Sequence, residues 1–217
     1  MTNLIRGARG TTGPPMVRGS RLTAYIALAY LLWLLTFRLE VGSFWARMGL
    51  SVAVLLGVSL KERGVLLMDE WRGRPWPLVV GAAAGLAFYI LTYAGFLMFK
   101  PYVEGGAREV YALRREMPLS LIAPLLLFTS VGEEVYWRGF VQAEFSSRLG
   151  AVKALLATAG LYATVHIWTL NPPLILIALI AALIWGGLYI KTGSLQSPIA
   201  SHILWTEMVF VFLPLLG

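Results

Sequence analysis

The chain has 217 residues, 58% of them hydrophobic and 13% charged, with a net charge of +7 and a mean hydropathy of +0.73. Soluble domains run nearer half apolar and a quarter charged, so this composition excludes one and predicts a small integral membrane protein. The positive balance does not indicate nucleic acid, because the basic residues fall in short clusters between apolar runs. The absence of cysteine excludes disulfides, thiolate nucleophiles and cysteine-rich metal sites.

Residues 1–20 are rich in Gly, Arg, Thr and Pro, lack the apolar core of a signal peptide, and read as a disordered basic cytoplasmic tail. Residues 21–217 read as a single transmembrane domain. A helix of roughly 20 apolar residues spans a bilayer core, and about seven stretches (six to eight) approach that. The first is Leu22 to Phe37. The second, Phe44 to Leu60, is the weakest because Arg47 interrupts it. The third, Trp76 to Phe99, carries the small residues Gly81, Ala82, Ala83, Ala84 and Gly85, which permit close helix packing.

The stretch 100–116 mixes charge with Tyr102, Val110, Tyr111 and Leu113 and reads as an interfacial loop or amphipathic helix. A fourth span starts near Pro118 and runs through Glu133-Glu134-Val-Tyr-Trp-Arg138 to a stop at Gly150. The fifth covers about Val152 to Leu170. Asn171-Pro172 supplies an N-cap and a first-turn proline for the sixth, which ends near Gly193. Ser197-Pro198 repeats that signal for a seventh. The predicted fold is an all-α polytopic membrane bundle with an active-site cavity inside the membrane. The clusters Arg6, Arg9, Arg18, Arg21 and Lys61, Arg63, Arg72, Arg74 place the N-terminus in the cytoplasm of a cell with this protein in its plasma membrane.

Ionisable groups are costly in hydrocarbon, which makes each one inside a span a functional candidate. Glu133, Glu134 and Arg138 fall in the fourth span, His166 in the fifth, His202 and Glu207 in the seventh. Residues four apart share a helix face, whereas neighbours point about 100° apart. Glu134 and Arg138 can therefore pair, while Glu133 has no partner on its own helix and is free to act as a general base and acid. Tyr162 precedes His166 by four residues and Thr206 follows His202 by four, so each histidine shares its face with a hydroxyl. A Glu–Arg pair, or one buried histidine, is equally a packing device. Such residues on three separate helices point to a shared site. Trp137, Trp168 and Trp205 read as packing aromatics.

At these positions the chain resembles the CAAX-protease and bacteriocin-processing family of membrane endopeptidases. That family carries Glu-Glu-x-x-x-Arg, Phe-x-x-x-His and His-x-x-x-Asn/Asp on successive helices. Here they read Glu133-Glu134-Val-Tyr-Trp-Arg138, Tyr162-Ala-Thr-Val-His166 and His202-Ile-Leu-Trp-Thr206. The first is complete, the second has Tyr for Phe, and the third has Thr206 for Asn or Asp. The resemblance covers about residues 118–210.

The resemblance implies hydrolysis of peptide bonds in membrane-associated or lipidated protein and peptide substrates. Glu133 and His166 would activate water, Glu134 and Arg138 would support them, and His202 with Thr206 would stabilise the oxyanion. A zinc alternative, with Glu133, His166 and His202 as ligands and Glu134 as base, is chemically sound. It is not preferred, since there is no His-Glu-x-x-His and the ligands come from three helices. No cofactor is otherwise expected, and the expected partners are membrane lipid and a membrane-associated peptide. A catalytically silent scaffold or immunity protein of the same fold is the first rival, drawn from Thr206. A proton-coupled transporter is the second, but neither inverted repeats nor broken helices support it.

Overall fold

A computed structural model describes residues 17–71 and 75–216, with side chains over 17–64 and 75–216. Among the described residues the chain is helical with no strand. Its helices are α1 (Gly19–Arg38), α2 (Phe44–Trp71), α3 (Trp76–Met98), α4 (Lys100–Ala112), α5 (Leu119–Glu134), α6 (Ala143–Leu149), α7 (Ala151–Val165), α8 (Pro172–Thr192) and α9 (Gln196–Glu207). Short 3-10 turns follow α4 (Leu113–Arg115) and α7 (His166–Thr169), and π-helical turns follow α5 (Val135–Gln142) and α9 (Met208–Phe212).

Among the described residues, six segments are long and apolar enough to cross a membrane: Gly19–Arg38, Phe44–Gly64, Trp76–Met98, Leu119–Leu149, Ala151–Thr169 and Pro172–Thr192. This is the lower bound of the expected six to eight. The seventh expected span forms α9 and its π turn, which end at Phe212 and fall short of the others in length.

Most predicted boundaries coincide with their chemical causes. The Asn171 side chain accepts from the Leu174 N–H at 3.0 Å, with Pro172 in the first turn. Gly150 and Gly193 end their segments at φ of 78° and 62°, where a Cβ is unfavourable. Three expectations are corrected. Arg47 does not interrupt the second span; its guanidinium donates to the carbonyls of Thr36 (3.0 Å), Val41 (3.0 Å) and Gly42 (2.8 Å) and so joins the end of α1 to the start of α2. Lys61 and Arg63 lie within α2, not in a loop, and Arg63 reaches Glu144 at 3.5 Å. Ser197 is no cap, since α9 starts one residue earlier, at Gln196, with Leu195 in the cap position. Residues 1–16 of the expected tail, including Arg6 and Arg9, and also Arg72 and Arg74, lie outside the described residues. Gly19 and Ser20 already belong to α1.

The apolar core is continuous from Leu22 and Trp33 on α1 through Val52 and Leu55 on α2 to Tyr136, Phe140, Tyr162, Ala181 and Trp185. α3 packs parallel to α9, with Gly81 facing the Ser197 backbone and Gly85 facing that of Ser201. α4 has no buried residue. It lies across one end of the bundle, where the Asn171 amide donates to the Gly106 carbonyl and to Glu109, both at 2.9 Å. At the same end the Trp45 indole donates to the Leu113 carbonyl at 2.9 Å, and the Phe44 N–H to Glu116 at 2.6 Å.

Candidate active site

Glu133 and Glu134 end α5 at the point where the helix widens into a π turn, a distortion often found at functional sites. All eight residues of that turn are buried. Arg138 Nη1 donates to Glu134 Oε1 at 3.0 Å, with both side chains fully buried. The same oxygen accepts from His202 Nδ1 at 2.8 Å, so Glu134 ties α5 to α9. Arg138 Nη2 donates to the Ala182 carbonyl at 3.3 Å. Its guanidinium lies 4.9 Å from the Tyr162 ring and 5.4 Å from that of Trp185. This is a desolvated cation held by one carboxylate, one carbonyl and two π faces.

Glu133 takes a different partner. The Tyr162 hydroxyl donates to its Oε2 at 2.7 Å across the α5–α7 contact. His166 stands at the end of α7, where the helix tightens into its 3-10 turn. Its Nδ1 lies 2.7 Å from the Tyr162 carbonyl. A carbonyl only accepts, so Nδ1 carries the proton and a neutral ring keeps its lone pair on Nε2. The Trp33 indole donates toward that Nε2 over a long 3.4 Å. The Tyr162 and His166 rings lie 5.1 Å apart, and the Trp185 ring stacks on His202 at 3.7 Å and 17°.

These groups meet in one cavity of about 200 Å³. Glu133, Tyr162, His166, Trp185, His202 and Thr206 line its inner part. Its outer part is apolar, formed by Phe37, Phe44 and Trp45 from the α1–α2 connection, Val110 and Leu113 from the α4 region, and Phe210. The cavity thus runs from the middle of the bundle to the end where α1 finishes and α5 begins. Tyr136, Trp137, Arg138 and Phe140 are fully buried and do not line it. An apolar cleft with a few convergent polar groups is the usual form of a ligand site.

Of the six residues expected from sequence, Glu133, His166, His202 and Thr206 line the cavity, while Glu134 and Arg138 sit behind it. Thr206 makes no hydrogen bond to His202; its Oγ1 is buried without a partner among the described residues. Glu207 does not line the cavity. Trp33 and Trp185 were not distinguished by sequence, where each is one more aromatic in an apolar run. Ser130, one turn before Glu133 and also in the wall, was missed because a lone uncharged serine in an apolar span carries no signal of its own.

The zinc alternative would need Glu133, His166 and His202 to converge on one ion. No group of three or more His, Cys, Asp or Glu side chains among the described residues is placed to hold a metal ion. His202 Nδ1 is taken by Glu134 and His166 Nδ1 by the Tyr162 carbonyl, which leaves Nε2 on each ring.

Residues 115–208, somewhat under half of the chain, match the family model described as type II CAAX prenyl endopeptidase Rce1-like. Comparison with curated proteins and with solved structures gave no match. The matched segment contains each of the residues above that carries chemistry, with Trp33 the exception. Over residues 115–208, the chain is similar to the Rce1-like type II CAAX prenyl endopeptidases that this family model describes.

Proposed function

We propose that this chain is an intramembrane endopeptidase that hydrolyses a peptide bond with a water activated by Glu133 and His166. The observation that carries the reading is that α5, α7 and α9 bring Glu133, His166 and His202 to the wall of one cavity.

With Tyr162 donating to Oε2, the other oxygen of Glu133 is available to a water. Glu133 takes one proton from that water as its oxygen adds to the substrate carbonyl carbon, and His166 Nε2 orients the same water. The π electrons of the carbonyl move onto its oxygen, which becomes the oxyanion. His202 and Thr206 donate to it; His202 does so with both nitrogens protonated, Nδ1 toward Glu134 and Nε2 toward the oxyanion. Collapse breaks the C–N bond, and the departing amine takes the proton from Glu133. Glu134 and Arg138 hold His202 in place. No metal enters these steps.

The substrate is a membrane-associated or lipidated peptide, in keeping with a mid-membrane site behind an apolar cleft. The protein is read as residing in the plasma membrane with its N-terminus in the cytoplasm, in keeping with the basic residues at and before the start of α1 and those from the later part of α2 onward.

The test is cleavage of lipidated and leader-type peptides by purified protein. Glu133→Gln and His166→Ala are each expected to lower kcat by about 10²–10⁴-fold, the usual share of general acid–base catalysis. A chelator should leave the wild-type rate unchanged. Full activity in both variants would exclude the assignment, and loss on chelation would restore the zinc reading. A fold without any cleavage would favour the silent-scaffold alternative suggested by Thr206.

A further inference from the structure

Two hydroxyls in the cavity wall, Ser130 Oγ and Thr206 Oγ1, are buried and make no hydrogen bond among the described residues. Ser130 is 1% exposed. Helical Ser and Thr commonly bond back to a carbonyl three or four residues earlier. Thr129 does so to Leu126 at 3.2 Å and Ser59 to Leu55 at 2.9 Å. Ser130, adjacent to Thr129 on the same helix, does not. Leaving a buried hydroxyl unpaired is destabilising, so its persistence in a ligand-sized cavity points to a partner that arrives with the ligand.

Helix register sets the two hydroxyls opposite one another. Glu134 on α5 and His202 on α9 are joined at 2.8 Å. α5 runs away from the cavity mouth and α9 runs toward it. Four residues are about 6 Å of helix, so one turn toward the mouth leads from Glu134 to Ser130 and from His202 to Thr206. A second turn leads to Leu126 and Phe210, and those two belong to one apolar cluster. The register therefore holds on both sides of the hydroxyl pair.

We propose that Ser130 is a further catalytic residue, a second hydroxyl donor to the oxyanion across the cavity from Thr206. Thr206 stands where an Asn or Asp is expected and has a shorter reach. The Thr206 hydroxyl donates one hydrogen bond where an amide offers two, and Ser130, on the helix that carries Glu133, supplies the second. This rests on the hydrolytic reading above.

The experiment measures kcat and KM for wild type, Ser130→Ala, Thr206→Asn, the double variant, and Glu133→Gln on one cleaved peptide. Loss of one oxyanion donor commonly lowers kcat by about 10²–10³-fold. With other donors remaining, Ser130→Ala is expected to lower kcat by about 10- to 100-fold with KM within about threefold. Adding Thr206→Asn to Ser130→Ala should raise kcat again by at least about tenfold, because the longer amide covers the same oxygen. The melting midpoint of Ser130→Ala should equal or exceed that of wild type, since an unpaired hydroxyl has been removed. Unchanged kcat in Ser130→Ala, or a loss that Thr206→Asn does not suppress, would overturn the proposal alone. Wild type that cleaves no peptide would overturn the hydrolytic reading and this one with it.

Discussion

A single oxygen, Glu134 Oε1, accepts from both Arg138 and His202, and this shared acceptor separates the roles of the two neighbouring glutamates. Glu134 is buried behind the cavity wall and Glu133 faces it. Removing one partner of a buried ion pair typically costs about 3–5 kcal/mol, because the other charge is left uncompensated. Arg138→Met is therefore expected to lower unfolding stability by about that amount, read by thermal or denaturant unfolding in detergent micelles. Combining it with Glu134→Gln should give less than the sum of the single losses, a direct measure of the coupling. The Glu134–Arg138 pair was legible in the sequence, since four residues of helix bring the groups together. The Tyr162–Glu133 and His202–Glu134 bonds were not, because each joins helices whose relative rotation no single-helix pattern encodes.

Helix boundaries were legible wherever a local chemical signal marks them, as at Asn171-Pro172, Gly150 and Gly193. The π turn after Glu134 was not, because Val135–Gln142 reads as ordinary amphipathic helix. Its extra residue per turn changes which side chains of α6 face inward, which periodicity counted at 3.6 does not anticipate. The small residues of α3 were read as permitting close packing, and the partner proves to be α9, the helix that bears His202. A Cβ at Gly81 would collide with the Ser197 carbonyl, and one at Gly85 would come within 2.7 Å of the Ser201 carbonyl oxygen. Backbone cannot yield as a flexible side chain does. Gly81→Ala is expected to destabilise the bundle by about 1–3 kcal/mol, as overpacking does. It should also lower cleavage by displacing His202, measured as kcat per folded molecule.

For the whole molecule, the proposed orientation sets one end of the bundle against the cytoplasm and the cavity mouth away from it. The sequence has no cysteine, so each introduced thiol can be read without background. Arg115→Cys, beside the mouth, should react with a membrane-impermeant maleimide in intact cells. Lys61→Cys, at the other end, should react only after permeabilisation. The reverse pattern would invert the orientation and bring the mouth to the cytoplasm.

The outer walls of the cavity are apolar, formed by Phe37, Phe44, Trp45, Val110, Leu113 and Phe210, and for the proposed hydrolysis that bears on traffic more than on chemistry. A substrate would reach Glu133 past those side chains, and the fragments would leave past them. An apolar fragment that lingers at Phe44 and Phe210 would hold the passage against the next substrate, so release of the more apolar product is the expected slow step.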